Sequence, residues 1–211
     1  MEDTYRFSVT TRVLETGRTE LGPWITLEHN IFHPQGGGQP SDTGTVGTAP
    51  ARPFKDPEAP GHTVRLSCET DATTGDEVTA TIDEELRLRH AALHTCGHVV
   101  DSFIRQAGFR HRVSNHFPGQ ARIEFDAGDG KPDLQQLAAT IEEQTRKAIA
   151  ADHKVHADHR GDQRIITIDG IGEDPCGGTH VTSLGRLTGF SLRSIKVKSG
   201  VLKVGYTVEH L

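Results

Sequence analysis

The sequence predicts an α+β protein in two parts. A small β-barrel-like domain covers residues 1–83, and a domain of two helices packed on an antiparallel sheet covers residues 84–211. Three observations carry this reading. The first 80 or so residues break into short alternating or apolar stretches bounded by turn residues, the pattern of a small all-β unit. From Glu84 the apolar period changes to that of a helix. After a second helical stretch the strand pattern returns and runs to the end, the order of an α+β fold.

Each element has its own warrant. YRFSVTTRV (5–13) and PWITLEHNIF (23–32) read as strands, and HTVRLSCET (62–70) and GDEVTATID (75–83) as two more. APARPFKDPEAPG (49–61), rich in Pro and Gly, reads as an exposed loop. From Glu84 to Ala107 there is no Pro and only Gly97 interrupts, while Leu86, Leu93 and Val100 recur every seven residues. That is a helix with Asp83 as N-cap and Gly108 as its stop. QARIEFDAG (120–128) reads as a strand. Pro132 opens a second helix over 132–153, since proline is tolerated in the first turn. KVHADHR (154–160), RIITIDG (164–170), GFSLRSIKVK (189–198) and VLKVGYTVEH (201–210) complete the sheet.

Composition bounds the function classes. The chain is 34% hydrophobic and 25% charged, with a net charge of −6, the balance of a globular protein and not of a strongly basic nucleic-acid binder. The charge is uneven: residues 1–83 hold 6 Lys+Arg against 13 Asp+Glu. Arg186, Arg193, Lys196, Lys198 and Lys203 share one late stretch without an acid, a candidate RNA-contacting face. On charge alone, a solvated strand edge whose lysines discourage pairing fits as well. No apolar run approaches the roughly 18 residues of a membrane span. MEDTYRFSVTTRV lacks the basic flank and apolar stretch of a signal peptide. Cys68, Cys96 and Cys176 form no framework, so a reducing, cytoplasmic compartment is expected.

The chemistry concentrates in three places. In RLRHAALHTCGHVVDSF, His94 and His98 stand i and i+4 on one helix face, about 5–6 Å apart at Cβ, close enough to share a metal ion. In DPCGGTH (174–180), Cys176 and His180 flank a segment whose glycines let backbone approach without a Cβ clash. Together the four make an N₃S set, which suits tetrahedral zinc and not magnesium or calcium. Cys96 points to another face of the helix and is assigned to packing. The third place is HPQGGGQPSDTG (33–44), a loop whose bare amides at Gly36, Gly37 and Gly38 allow a ligand close approach. HExxH, and with it the glutamate base of a zincin metalloprotease, is absent, and no G-x-S-x-G or P-loop motif appears.

These three stretches together resemble the AlaX family, freestanding editing proteins related to the editing domain of alanyl-tRNA synthetase. The family pattern F-Y-P-x-G-G-G-Q-P-x-D-x-G stands here as FHPQGGGQPSDTG (32–44), H-T-x-x-H within HTCGHVV (94–100), and P-C-G-G-T-H-V as PCGGTHV (175–181). IDEELRLRHAALHT (82–95) resembles the family's approach to the first histidine, and its spacing puts that ligand at His94, not His90. His33 stands where the family usually has Tyr, and Gln35 where it often has Glu.

The resemblance implies hydrolysis of the ester that joins a wrong amino acid, chiefly serine and less so glycine, to tRNA(Ala). It implies one zinc ion held by His94, His98, Cys176 and His180, and editing in trans by a medium-length member. No nucleotide cofactor and no membrane enter that reading. A site that must choose serine over alanine needs a partner for the hydroxyl, because its own polar groups stay unpaired when the hydroxyl is missing. Gln39, Thr95 and Thr179 are the candidates, Gln39 first. Gly36, Gly37, Gly38 and Gln39 are taken with Thr95 and Thr179 as the substrate-binding set, and the general base is left unassigned. Two other readings share the ligand motifs: a hydrolase for another mischarged tRNA such as Ser-tRNA(Thr), and a non-catalytic zinc module that binds RNA or a protein.

Overall fold

A computed structural model describes residues 3–20, 22–56, 63–128 and 132–211. The chain divides into two compact units, one of residues 1–36 and 40–88 and one of residues 37–39 and 89–211.

In the first unit six strands, β1 (Ser8–Thr19), β2 (Gly22–Leu27), β3 (Gly44–Val46), β4 (Ala49–Lys55), β5 (Val64–Cys68) and β6 (Glu77–Ile82), close into an antiparallel barrel. The order is β1-β2-β5-β4-β3-β6, with β6 pairing back onto β1 through Val9–Ala80 and Thr11–Val78. Closure leaves no edge to blunt. Val9, Val13, Ile25, Leu27, Val46, Leu66, Ala80 and Ile82 fill the interior. The predicted loop over 49–61 is corrected here: its first seven residues are β4, and residues 57–60 and 61 lie outside the described chain. Proline is at home in extended backbone because its φ is fixed near the strand range, and it costs only a ladder donor. Pro50 and Pro53 therefore hid a strand whose Ala51 and Pro53 point inward.

One polar group anchors this unit. Arg87 is fully buried. Its guanidinium donates to both oxygens of Asp42, to Thr4 O at 3.1 Å and to Ile31 O at 2.7 Å. A buried charge needs such complete pairing, since desolvation otherwise outweighs the attraction.

The helix expected at Glu84 is α1 (Glu84–Gln106). Asp83 caps it, its carboxylate accepting the Leu86 N–H at 3.0 Å, and Gly108 stops it at φ +95°. In the second unit α1 is followed by β7 (Arg110–Asn115), β8 (Arg122–Asp126), α2 (Leu134–Ala150), β9 (Val155–Arg160), β10 (Gln163–Ile168), β11 (Gly172–Pro175), β12 (Leu187–Lys198) and β13 (Val201–His210). The expected single sheet is two antiparallel sheets, β12-β13-β8-β7 and β11-β10-β9. Pro132 precedes α2 instead of opening it: the cap is Asp133, whose Oδ1 accepts the N–H groups of Gln135 and Gln136.

The core of this unit joins α1 residues Ala92, Leu93, Cys96, Val99, Val100 and Ile104 to sheet residues Ile123, Phe125, Leu202, Val204 and Tyr206. Cys96 is fully buried there, as its assignment to packing requires, and burial pushes its thiol far up. No helix among the described residues is long and apolar enough to cross a membrane.

Candidate metal centre

α1 presents His94 and His98 one turn apart, and the turn after β11 presents Cys176 and His180. Their ligand atoms all lie within 4.8 Å of one another, so the four could hold one metal ion. Cys176 Sγ is 3.4 Å from His94 Nε2 and 3.4 Å from His180 Nε2. His90, a further turn back on α1, stands outside this group.

Each imidazole is held by its other nitrogen. His94 Nδ1 bonds to Gln39 Oε1 at 2.7 Å. That oxygen also accepts the Thr179 N–H at 2.9 Å, so the proton lies on His94 Nδ1 and Nε2 keeps its lone pair. His180 Nδ1 is 3.1 Å from Thr95 Oγ1, whose own proton goes to Ala91 O at 2.9 Å. His180 therefore donates there, alongside the Val181 N–H at 3.1 Å. His98 Nδ1 faces Asp174 Oδ2 at 3.5 Å. Three imidazoles fixed through Nδ1 by a carboxylate, an amide or a hydroxyl is the arrangement that orients nitrogen ligands on a metal.

The electrostatics agree. Burial lowers the His98 imidazole, but Asp174 and Cys176 together raise it to about 9, so a positive charge is favoured at this spot. Burial raises the Cys176 thiol, yet His98, the Gly178 N–H and Arg164 bring it below its usual value, toward thiolate. Arg164 also ties down the turn, donating to Cys176 O at 2.9 Å and Gly178 O at 2.8 Å. A thiolate and three oriented imidazoles, with a negative neighbour behind one of them, are compatible with zinc.

Gly178 shows why the turn needs glycine. A Cβ there would lie 2.2 Å from His94 Cε1 and 2.9 Å from Gln39 Oε1. The turn's glycines serve packing against the ligands at Gly178, while Gly177 lines an open cavity.

That cavity, about 570 Å³, is walled by Gly37, Gly38, His94, Gly97, His98 and Cys176. Around its rim Arg105 pairs with Asp101 at 2.7 Å and with Asp174 at 2.8 Å, and His111 meets Asp101 at 2.6 Å. His116 also lines it, its ring stacked on His94 with centroids 4.4 Å apart. Burial holds the His116 imidazole down to about 3, helped by the charges of His98 and His111.

The sequence-predicted substrate contacts fare differently. Gly37 and Gly38 line the cavity; Gly36 lies in the other unit. Gln39, Thr95 and Thr179 are buried, and each side chain is hydrogen-bonded within the site. Gln39 Nε2 donates to Thr179 Oγ1 at 2.9 Å, and the remaining bonds go to ligands or backbone. These bonds tie the three to His94, His180 and the metal-binding turn. Of the late basic residues, Arg193 spends its guanidinium on Tyr206 O, Gly119 O and Ala121 O, and Lys203 pairs with Glu124 at 3.0 Å. Arg186, Lys196 and Lys198 are exposed, and none of the five lines the cavity.

Sequence reasoning missed Asp174, His116 and the strand β7 that walls the cavity. Asp174 stood in DPCGGTH beside its ligands and offered a signal; His116 had none beyond its residue type.

No family model matches the chain. Among curated proteins, it is 30% identical, over 77% of its length, to the alanyl-tRNA editing protein Aarsd1 of Danio rerio, of which it spans 43%. It is 28% identical to the alanyl-tRNA editing protein AlaX-M of Methanosarcina mazei, over 84% of this chain and 83% of that one. The AlaX-M protein of Pyrococcus horikoshii is 29% identical over 87% of this chain and 83% of its own. Motifs, ligand geometry and relatives of matching length converge: the chain is similar to the AlaX-M group of freestanding alanyl-tRNA editing proteins.

Proposed function

We propose that the chain is a trans-editing hydrolase that deacylates Ser-tRNA(Ala), and more slowly Gly-tRNA(Ala), with one zinc ion held by His94, His98, Cys176 and His180. The observation that carries this is the ligand cluster opening onto a cavity, each imidazole oriented through Nδ1, in a chain similar to alanyl-tRNA editing proteins.

An aminoacyl ester is already activated, so the site must supply water, a place for the developing oxyanion and a choice of acyl group. Bound zinc would supply Lewis acidity toward a carbonyl or a water. The chain's own contribution is positional. Gln39, Thr95 and Asp174 hold the imidazoles. Gly37 and Gly38 keep one wall free of side chains, which leaves room for the 3′ end. Exposed Arg186, Lys196 and Lys198 are proposed contacts for tRNA phosphates, with Arg193 and Lys203 bracing the strands that carry them. The protein works where tRNA is charged, in the cytoplasm.

A panel of charged tRNAs tests the reading. Ser-tRNA(Ala) should lose its serine at least about 10²-fold faster than Ala-tRNA(Ala) or Ser-tRNA(Thr). Binding of tRNA(Ala) without hydrolysis of any ester would contradict it and favour a zinc-dependent binding module.

A further inference from the structure

Gln39, Thr95 and Thr179 are bonded to the ligands and the metal-binding turn, and a further polar group on the cavity wall can read the acyl side chain. His116 is 3% exposed, lines the cavity and follows β7 directly, its N–H bonded to Gly38 O at 2.8 Å. Its Nδ1 is 2.6 Å from the Tyr206 hydroxyl. That hydroxyl has one proton, and it goes to Leu93 O at 2.9 Å. The phenol oxygen is thus an acceptor toward His116, so His116 carries a proton on Nδ1, and the neutral ring in this tautomer offers Nε2 as its acceptor. No hydrogen bond to that Nε2 exists among the described residues.

The arrangement is tightly built. A Cβ on Gly97, the one glycine within α1, would come 2.4 Å from His116 Cε1 and 2.6 Å from Tyr206 Oη. Glycine is required there for the ring and the phenol to reach the helix. Leu93 O, next to the ligand His94, receives the far end of the relay, and the ring itself stacks on His94. A ring of fixed orientation, with Nδ1 committed to Tyr206, therefore sits at one wall of the cavity beside the metal ligands.

We propose that His116 is the specificity residue of this site, its Nε2 accepting a hydrogen bond from the hydroxyl of a seryl ester, with Tyr206 the positioning residue that fixes the tautomer. The proposal rests on the deacylase reading above. Its physical logic is one of exclusion: an alanyl group fills the same space but takes the water from a cavity-wall acceptor without replacing it, while the serine hydroxyl satisfies that acceptor. The chemical class read is a short acyl group bearing an O–H donor on its β carbon.

The test uses His116→Leu, which removes the acceptor, and His116→Gln, which offers an amide oxygen near the position of Nε2. Single-turnover deacylation of Ser-tRNA(Ala) and Ala-tRNA(Ala) is measured with metal content per chain. Binding of adenosine carrying a 3′-amide-linked seryl or alanyl group is measured by calorimetry. His116→Leu should lose roughly 10–100-fold on the seryl ester and little on the alanyl ester, while metal content stays unchanged. His116→Gln should recover part of the seryl rate. Tyr206→Phe should fall between wild type and His116→Leu in the seryl/alanyl ratio. Equal losses on both esters, or a seryl preference in amide binding that survives His116→Leu, would overturn the proposal. A wild-type protein that hydrolyses neither ester would instead overturn the deacylase reading, and the amide preference would still judge His116.

Discussion

Gln39 contributes no atom to the metal-ligand set, yet its one carbonyl oxygen fixes both His94 Nδ1 and the Thr179 N–H. Removing it leaves the four ligands in place but one imidazole free to turn. Gln39→Leu should therefore lower zinc affinity by about 10–100-fold, read by competition with a chelating dye, with the fold retained. Unchanged affinity would deny Gln39 this role. At this scale the sequence was legible where chemistry demands rare residue types at tight spacing: His94 with His98, and Cys176 with His180. It was not legible where the role is relational. A loop glutamine carries no mark of the imidazole it holds 55 residues later, and His116 carries none of Tyr206, 90 residues away.

Among the elements, α1 was readable because it is long, regular and capped by recognisable residues at both ends. β7 was not. Its sequence RHRVSN is mostly exposed along one edge of its sheet, so burial imposes no period-2 pattern on it. β4 was hidden by its prolines. The loop between β2 and β3 carries a buried group with a consequence for stability. His33 is 6% exposed, and burial, together with Arg87 and Lys55, lowers its imidazole to about 4 despite Asp42. Its unfolded value is about 6.5, so between about 6.5 and about 4 the unfolded chain binds a proton that the native state refuses. Stability should then fall on acidification through that window, with a slope approaching about 1.4 kcal/mol per pH unit. Urea unfolding from pH 7 to pH 4 should show a smaller loss for His33→Gln than for wild type. Parallel curves would contradict the assignment.

Over the whole molecule, the barrel and the α+β unit were legible as classes because period-2 and period-3.6 patterns divide the chain near Asp83. The membership of residues 37–39 in the second unit was not, since nothing local shows that three loop residues pack with a helix and strand far along the chain. Charge follows the same division: the acidic excess lies in residues 1–83, and the exposed Arg186, Lys196 and Lys198 lie beyond it. A nucleic-acid partner is therefore expected at the second unit, where the metal ligands also are. His94, His98, Cys176 and His180 are proposed to hold the zinc on which ester hydrolysis depends. The direct measurement is the deacylation rate of Ser-tRNA(Ala) with zinc content, for wild type and Cys176→Ala. One zinc per chain and rapid serine release in wild type, with both lost in Cys176→Ala, is the expected result. A Cys176→Ala protein that keeps its zinc and its rate would contradict the account.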